Sequence, residues 1–372
     1  MILAAWFWLM GCVGCPSGQV PSLEDKAFDK AAAIQPTAEA SAMFEVVQPA
    51  ARDPRWSDAV CNDGTPFALE LRDQGSDVWV VSFSGGYFCE DDQVPCDGRA
   101  RRLTTTLPAE DGQRRPGARE GIFSRNPMKN PVFHDANHVD LHYCSSDLWL
   151  GEATHRQVTS GSEAGWYFSG RRNVRAGLEY LKTAGLSPTD RVLVVGYSAG
   201  GLGVVGNMDT LLEVFAEQRA SGHLKLVLDG SWIPPWDTVG MPRANRWGAT
   251  HAECEREQRA AGEDPARCVF GPVWWPYVAA TQVPVLVQIS GQDTTQLPAF
   301  GVRKSPDKER WREAVRTSLI GLPWVFSGGR PYHVLTHNQR FNKGVSERVS
   351  LERVLAEFWS DAPPRQVLFA YP

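Results

Sequence analysis

Ser198 stands in Gly196-Tyr197-Ser198-Ala199-Gly200-Gly201, a G-x-S-x-G pattern with a further glycine. An apolar, β-branched run over 191–197 precedes it, and an apolar, helix-compatible run extends from Leu202 towards Phe215. Strand, G-x-S-x-G, helix is the setting in which a sharp turn holds a serine hydroxyl out above a sheet, with a helix N-terminus beneath it. The glycines on either side let strand and helix approach closely. Such a hydroxyl attacks carbonyl carbon when an imidazole takes its proton and a carboxylate orients the imidazole. Without those partners the pattern is an ordinary strand-to-helix turn.

The partners are expected in the order serine, acid, histidine. Asp293 directly follows the β-rich run 283–290, and Asp229 ends a shorter apolar run at 224–228. Either aspartate also suits a turn, capping backbone amides beside glycine. A late strand over 322–327 leads to a loop with two histidines, His333 and His337. His134, His138, His142 and His155 precede the serine and do not fit the order. Acyl transfer further needs donors for the oxyanion, each worth about 3–4 kcal/mol. The Ala199 amide, next to the nucleophile, is one; the Gly-rich strand end Gly85-Gly86-Tyr87 is placed to supply others.

These residues need a frame. Apolar runs at 67–72, 78–83, 139–143, 191–197, 224–228, 283–290 and 322–327 read as strands, with helical periodicity at 171–184, 307–319 and 351–360. The alternation predicts an α/β fold of the α/β-hydrolase kind: a mostly parallel central sheet, helices on both faces and lid-like insertions. Functional residues should gather at the carboxyl ends of the strands. The polar stretch 99–126 reads as a long loop or lid, and 232–268, rich in Pro and Trp, as an insertion.

Composition narrows the partners. The 372 residues are 42% hydrophobic and 22% charged with a net charge of −5 and no dominant basic block, which argues against nucleic acid. Fourteen tryptophans suit a carbohydrate or apolar-ligand surface as well as a core. Residues 1–12 form an apolar run too short to span a bilayer but matching a secretory signal. Leu9-Met10-Gly11-Cys12 is similar to the lipobox of bacterial lipoproteins, with Cys12 as the lipidated residue. The expected organisation is a signal or lipobox over 1–15, a linker or N-terminal arm over 16–45 with a short helix at 24–34, and a catalytic domain over 46–372. Export to a cell envelope or beyond follows, with a lipid anchor as the only membrane contact. A monomer is expected.

Of eight cysteines, removing Cys12 and Cys15 leaves six, Cys61, Cys89, Cys96, Cys144, Cys254 and Cys268. Six permit 15 pairings. An oxidising compartment favours disulfides, and local spacing favours Cys89–Cys96 and Cys254–Cys268, leaving Cys61–Cys144. Neither paired C-x-x-C nor H-E-x-x-H spacing occurs, so neither metal nor cofactor is expected.

Several segments together resemble the pectin acetylesterase/Notum family of serine carboxylesterases. SGGYFCEDDQVPC is similar to its oxyanion-hole segment, GYSAGGL to its nucleophile segment and HYCSSD to a strand ending in Tyr-Cys. LVLDGSWI resembles its Asp-Ala/Ser-Gly strand, and VPVLVQISGQDTTQL the strand bearing its acid. The likeness runs from 46 to 360 in consistent order. It implies a bacterial member with an α/β-hydrolase fold, no metal, Ser198 as nucleophile and Asp293 as acid. Gly86, Tyr87 and Ala199 would supply oxyanion amides, with Cys89–Cys96 beside them. The spacing from His333 to the last helix resembles that of Notum and bacterial members, whereas Thr336-His337-Asn338-Gln339 is similar to a plant Ala-His-Cys-Gln motif; His333 is favoured on loop length. Tyr87 stands where the family usually has Trp, and Tyr197 where plant members have Cys, so the substrate is not read from the motif.

The resemblance implies hydrolysis of O-acyl, foremost O-acetyl, esters on a pectin-like polysaccharide. Two alternatives are removal of a longer acyl chain from a lipidated protein or lipid, and a non-catalytic glycan-binding lipoprotein on a hydrolase scaffold.

Overall fold

The computed structural model describes residues 43–86, 88–89, 104–116, 119–157, 166–236, 252–344 and 349–368. Cys12, Tyr87, Cys96 and the short helix expected at 24–34 lie outside the described residues. In chain order the strands are β1 (Met43–Val47), β2 (Leu69–Arg72), β3 (Val78–Phe83), β4 (Arg114–Pro116), β5 (Asn137–Leu141) and β6 (Ala153–Gln157). There follow β7 (Trp166–Phe168), β8 (Arg191–Tyr197), β9 (Leu224–Asp229), β10 (Val285–Ser290), β11 (Trp324–Gly328) and β12 (Gln366–Leu368). Among the described residues β6 and β7 pair with each other, and all other strands join one sheet ordered β12-β11-β10-β9-β8-β3-β5-β2-β1-β4. Neighbours are parallel from β12 through to β5 and antiparallel from β5 through β2 and β1 to β4.

The parallel part is the mostly parallel, helix-covered sheet that the alternation predicts. Along β8, Val192 and Val194 join one core cluster while Leu193 and Val195 join another, so successive side chains feed opposite faces. One face is covered by Val174, Leu178 and Leu181 of the Gly170–Thr183 helix and by Trp311 and Val315 of Ser305–Ser318. Val354, Leu355 and Phe358 of Leu351–Trp359 cover the other. Each such buried side chain contributes about 1.5–3 kcal/mol. Burial on both faces is also why these strands read as continuous apolar runs.

The structure departs from the expected elements in several places. The run from Leu202 to Phe215 is two helices, Ala199–Gly206 and Met208–Val214, broken at Asn207. There the Asn207 amide donates to the carbonyls of Gly203 (2.8 Å) and Trp149 (2.9 Å). β1 takes in residues 43–45, which composition groups with the arm, because they pair with β4. β4 itself lies inside the stretch expected to be loop or lid. Cys254–Cys268, which local spacing favours, and Cys61–Cys144, the pair that it leaves, form disulfides, and Cys89 is disulfide-bonded too.

Candidate active site

β8 ends at Tyr197 and the next helix begins at Ala199, which leaves Ser198 alone in the bend at φ 57°, ψ −125°. A non-glycine residue held there costs on the order of 1–3 kcal/mol. Its neighbours enforce it. The Ser198 amide donates to the Asp229 carbonyl (2.8 Å), and its carbonyl accepts from the Gly201 amide (3.1 Å) and the Ser231 hydroxyl (2.9 Å). Strand and helix pass so closely that a Cβ at Gly200 would run into the Phe83 carbonyl, and one at Gly196 into Gly200 and Gly201.

Asp293 follows β10 in a tight turn and is fully buried. One carboxylate oxygen accepts the amides of Thr295 (2.8 Å) and Gln296 (2.7 Å). The other lies 2.7 Å from Nδ1 of His333, whose Nε2 lies 2.7 Å from the Ser198 hydroxyl. An ionised carboxylate only accepts, so Nδ1 carries the imidazole proton and Nε2 is left to accept from the serine. Burial of the ring disfavours protonation, but the hydrogen bond and charge of Asp293, with the charge of Asp229 behind them, outweigh it and raise the His333 pKa.

Asp229 and His337, the alternatives open in the sequence, have other partners. The Asp229 carboxylate accepts the amides of Leu335 (2.9 Å) and Thr336 (2.7 Å) and the Thr336 hydroxyl (2.5 Å). Burial pushes its pKa up to about 6 against those hydrogen bonds. His337 lies over Tyr197, ring centroids 4.0 Å apart, and against Phe123 at 4.8 Å. Its Nδ1 is 2.8 Å from the Thr336 hydroxyl, and burial brings its pKa down to about 4. The ring that reaches Ser198 is that of His333, and the carboxylate that reaches this ring is that of Asp293.

The Ala199 amide opens its helix and so has no intrahelical acceptor. The segment leading to Gly86 passes against the serine, since a Cβ at Gly85 would meet the Tyr197 carbonyl and Ser198 Cβ. Ser84 fastens that segment: Tyr197 donates to its hydroxyl (2.9 Å), which donates to Asp140 (2.8 Å), itself paired with Arg119. Sequence reasoning missed Ser84, Asp140, Arg119 and Thr336. Their partners lie on different strands or loops, and no local pattern marks them.

Two clefts border these residues. One of about 570 Å³ is lined by Ser84, Gly85, Thr105, Thr106, Arg115, His142, Tyr143 and Tyr197 among others. Another of about 480 Å³ is lined by Gln292 and Thr294, on either side of Asp293, with Arg303, Lys308, Arg312 and Pro331. A separate apolar cluster, Ile233, Val269 and Phe270 with Leu202, Trp236, Val273 and Phe300, packs against the serine's helix through Leu202.

A mostly parallel sheet with a serine raised between strand and helix, and later loops bringing aspartate and histidine to it, defines an α/β-hydrolase fold. The pectinacetylesterase family model matches residues 38–318, and the chain belongs to that family. It is 30% identical over 290 residues to the palmitoleoyl-protein carboxylesterase NOTUM of Drosophila melanogaster, covering 72% of this chain and 42% of that protein. Its human counterpart is 36% identical over 156 residues, 41% of this chain and 30% of the human protein. The chain thus spans under half the length of these curated relatives. A crystal structure of the Wnt deacylase Notum from Drosophila superposes with a TM-score of 0.71 at 26% identity, covering 85% of this chain and 95% of that one.

Proposed function

We propose that the chain is a serine carboxylesterase in which Ser198 is the nucleophile, His333 the general base and Asp293 the acid that orients it. The carrying observation is the unbroken line of hydrogen bonds from Asp293 through His333 to Ser198. As the serine oxygen bonds to the ester carbonyl carbon, its proton passes to Nε2 of His333, and Asp293 offsets the imidazolium charge. The amides of Gly86, Tyr87 and Ala199 receive the oxyanion. The tetrahedral adduct collapses, His333 returns the proton to the departing alcohol, and water then repeats the sequence to release the acid.

The substrate we infer is an O-acetyl ester on a pectin-like polysaccharide. Membership of the pectinacetylesterase family supports it, as does the cleft with Arg303, Lys308 and Arg312, whose charge suits a carboxylate-bearing polymer on a chain of net charge −5. A second reading, removal of a longer acyl chain, is favoured by the apolar cluster beside Leu202 and by the relatives' name, palmitoleoyl-protein carboxylesterase. Rates on acetyl, butyryl and octanoyl esters separate them: a maximum at acetyl supports the first and a maximum at octanoyl overturns it. Ser198→Ala should abolish all of these activities, and retained hydrolysis sinks the mechanism. A non-catalytic glycan binder would leave a fluorophosphonate unreacted. The disulfides suit an exported protein, and no helix among the described residues is long and apolar enough to cross a membrane.

A further inference from the structure

Ser146, Leu148 and Trp149 all have left-handed backbone, φ 54°, 58° and 67°, within one short buried turn. β-Branched or not, side chains rarely adopt this region, and three in four consecutive residues persist only where the surroundings over-determine them. Asp147 does so from inside. Its fully buried carboxylate accepts the Ser145 hydroxyl (2.6 Å) and the amides of Trp149 (3.0 Å) and Gly170 (2.8 Å). The Cys61–Cys144 disulfide anchors the turn's entry.

The turn is spent on two contacts with the segment that bears Gly86. The Trp149 indole N–H donates to the Ser84 carbonyl (3.0 Å), and the Cys89 amide donates to the Ser146 carbonyl (2.7 Å), so the segment is gripped at both ends. The pyrrole edge and Cβ of Trp149 meet the serine's helix. Its ring occupies the space a Cβ at Gly203 would need, and its carbonyl holds the Asn207 side chain. One residue therefore touches both bodies that carry the oxyanion amides, Gly86 on one and Ala199 on the other.

We propose that Trp149 is a positioning residue of the esterase, setting through its indole N–H the distance between the Gly86 and Ala199 amides. The inference rests on the reading of Ser198 as nucleophile and of those amides as the oxyanion site. Donors so aimed act in the transition state rather than on bound substrate, so loosening them lowers kcat and leaves KM.

The test compares Trp149→Phe with Trp149→His on an activated acetyl ester. Phenylalanine keeps apolar packing and loses the donor; histidine loses the larger ring and keeps an N–H at the same place. Trp149→Phe should lower kcat by about tenfold or more with KM within about threefold, a misplacement well under 1 Å sufficing for such a loss. Affinity for a boronic acid analogue of the tetrahedral adduct should fall by the same factor. Trp149→His should be the more active variant although the less stable to heat. The order reversed, or kcat within about twofold of wild type in Trp149→Phe, overturns the proposal. If Trp149→Phe does not fold, Trp149→His decides: kcat within about threefold of wild type supports it and a larger loss at unchanged KM overturns it. Labelling of wild-type Ser198 by a fluorophosphonate tests the underlying reading separately.

Discussion

Asp229 and Thr336 are joined twice, through the backbone amide and the hydroxyl of Thr336 on one carboxylate oxygen. With the Leu335 amide, these bonds tie the end of β9 to the loop that carries His333. Asp229 thereby fixes where the imidazole stands, while Asp293 contacts the imidazole itself. The two aspartates should fail differently. Asp293→Asn should lower kcat by roughly 10³–10⁴-fold, because an amide there favours the wrong tautomer. Asp229→Asn keeps one oxygen for the Thr336 donors but loses the charge that strengthens those bonds. It also puts an NH2 where the second oxygen stood beside the Leu335 amide, so it should lower kcat by about tenfold and thermal stability with it. Steady-state kinetics on one ester settles this, and equal losses would undo the assignment of roles.

The pH profile of kcat/KM follows from the charge on His333. The free base must be neutral to accept the serine proton, so activity falls as pH drops through its pKa. Asp293 raises that pKa above the ordinary imidazole value of 6.5, so the acid limb should have its midpoint above 6.5. Asp293→Asn removes the charge that raises it, and its residual activity should show the limb displaced to lower pH. A midpoint unmoved by that substitution would mean that another group titrates.

His337 predicts a stability effect of its own. Burial holds its folded pKa near 4, whereas the unfolded imidazole takes up a proton near 6.5. Between those values the unfolded state binds more protons, so stability is full above pH 6.5 and falls as pH drops towards 4. The loss from this one ring is ~3 kcal/mol at about 1.4 kcal/mol per unit. Asp229, raised to about 6, works in the opposite direction, gaining stability as pH falls through 6. His337→Phe keeps the stacking on Tyr197 and Phe123 and should flatten the decline. Urea midpoints at pH 7 and 4.5 measure it; parallel declines in both proteins would exclude His337 as the cause.

What could be seen in the sequence divides along physical lines. β3, β8, β9 and β10 are buried on both faces and announce themselves as apolar runs, and the close strand-to-helix turn at Ser198 needs glycines at fixed offsets. β1, β4 and β12 are short and lie at or next to the sheet's edges, and their residues read as arm, loop and tail until a partner strand is known. Order along the chain narrows the proposed acid and base to pairs, but His333 and His337 differ only in what surrounds them. One faces the serine and the other is enclosed by Tyr197, Phe123 and Thr336. Trp149 was one of fourteen tryptophans, and its role depends on a turn whose backbone no composition reveals.

The cationic cleft beside Asp293 separates a polymer substrate from a small ester. Arg303 is exposed and Lys308 half-buried in the Ser305–Ser318 helix, so charge reversal at both should leave the fold and the serine untouched. On an acetylated polyuronate, Arg303→Glu with Lys308→Glu should raise KM by about tenfold, the order of magnitude of two lost partly exposed ion pairs. On a small neutral acetyl ester the same variant should match wild type. Added salt should weaken wild-type action on the polyuronate and improve that of the variant, since screening removes attraction in the one and the repulsion of the two introduced glutamates in the other. An acetylated neutral glycan processed as well as the polyuronate, and equally by both proteins, would show that this cleft does not read the polymer's charge.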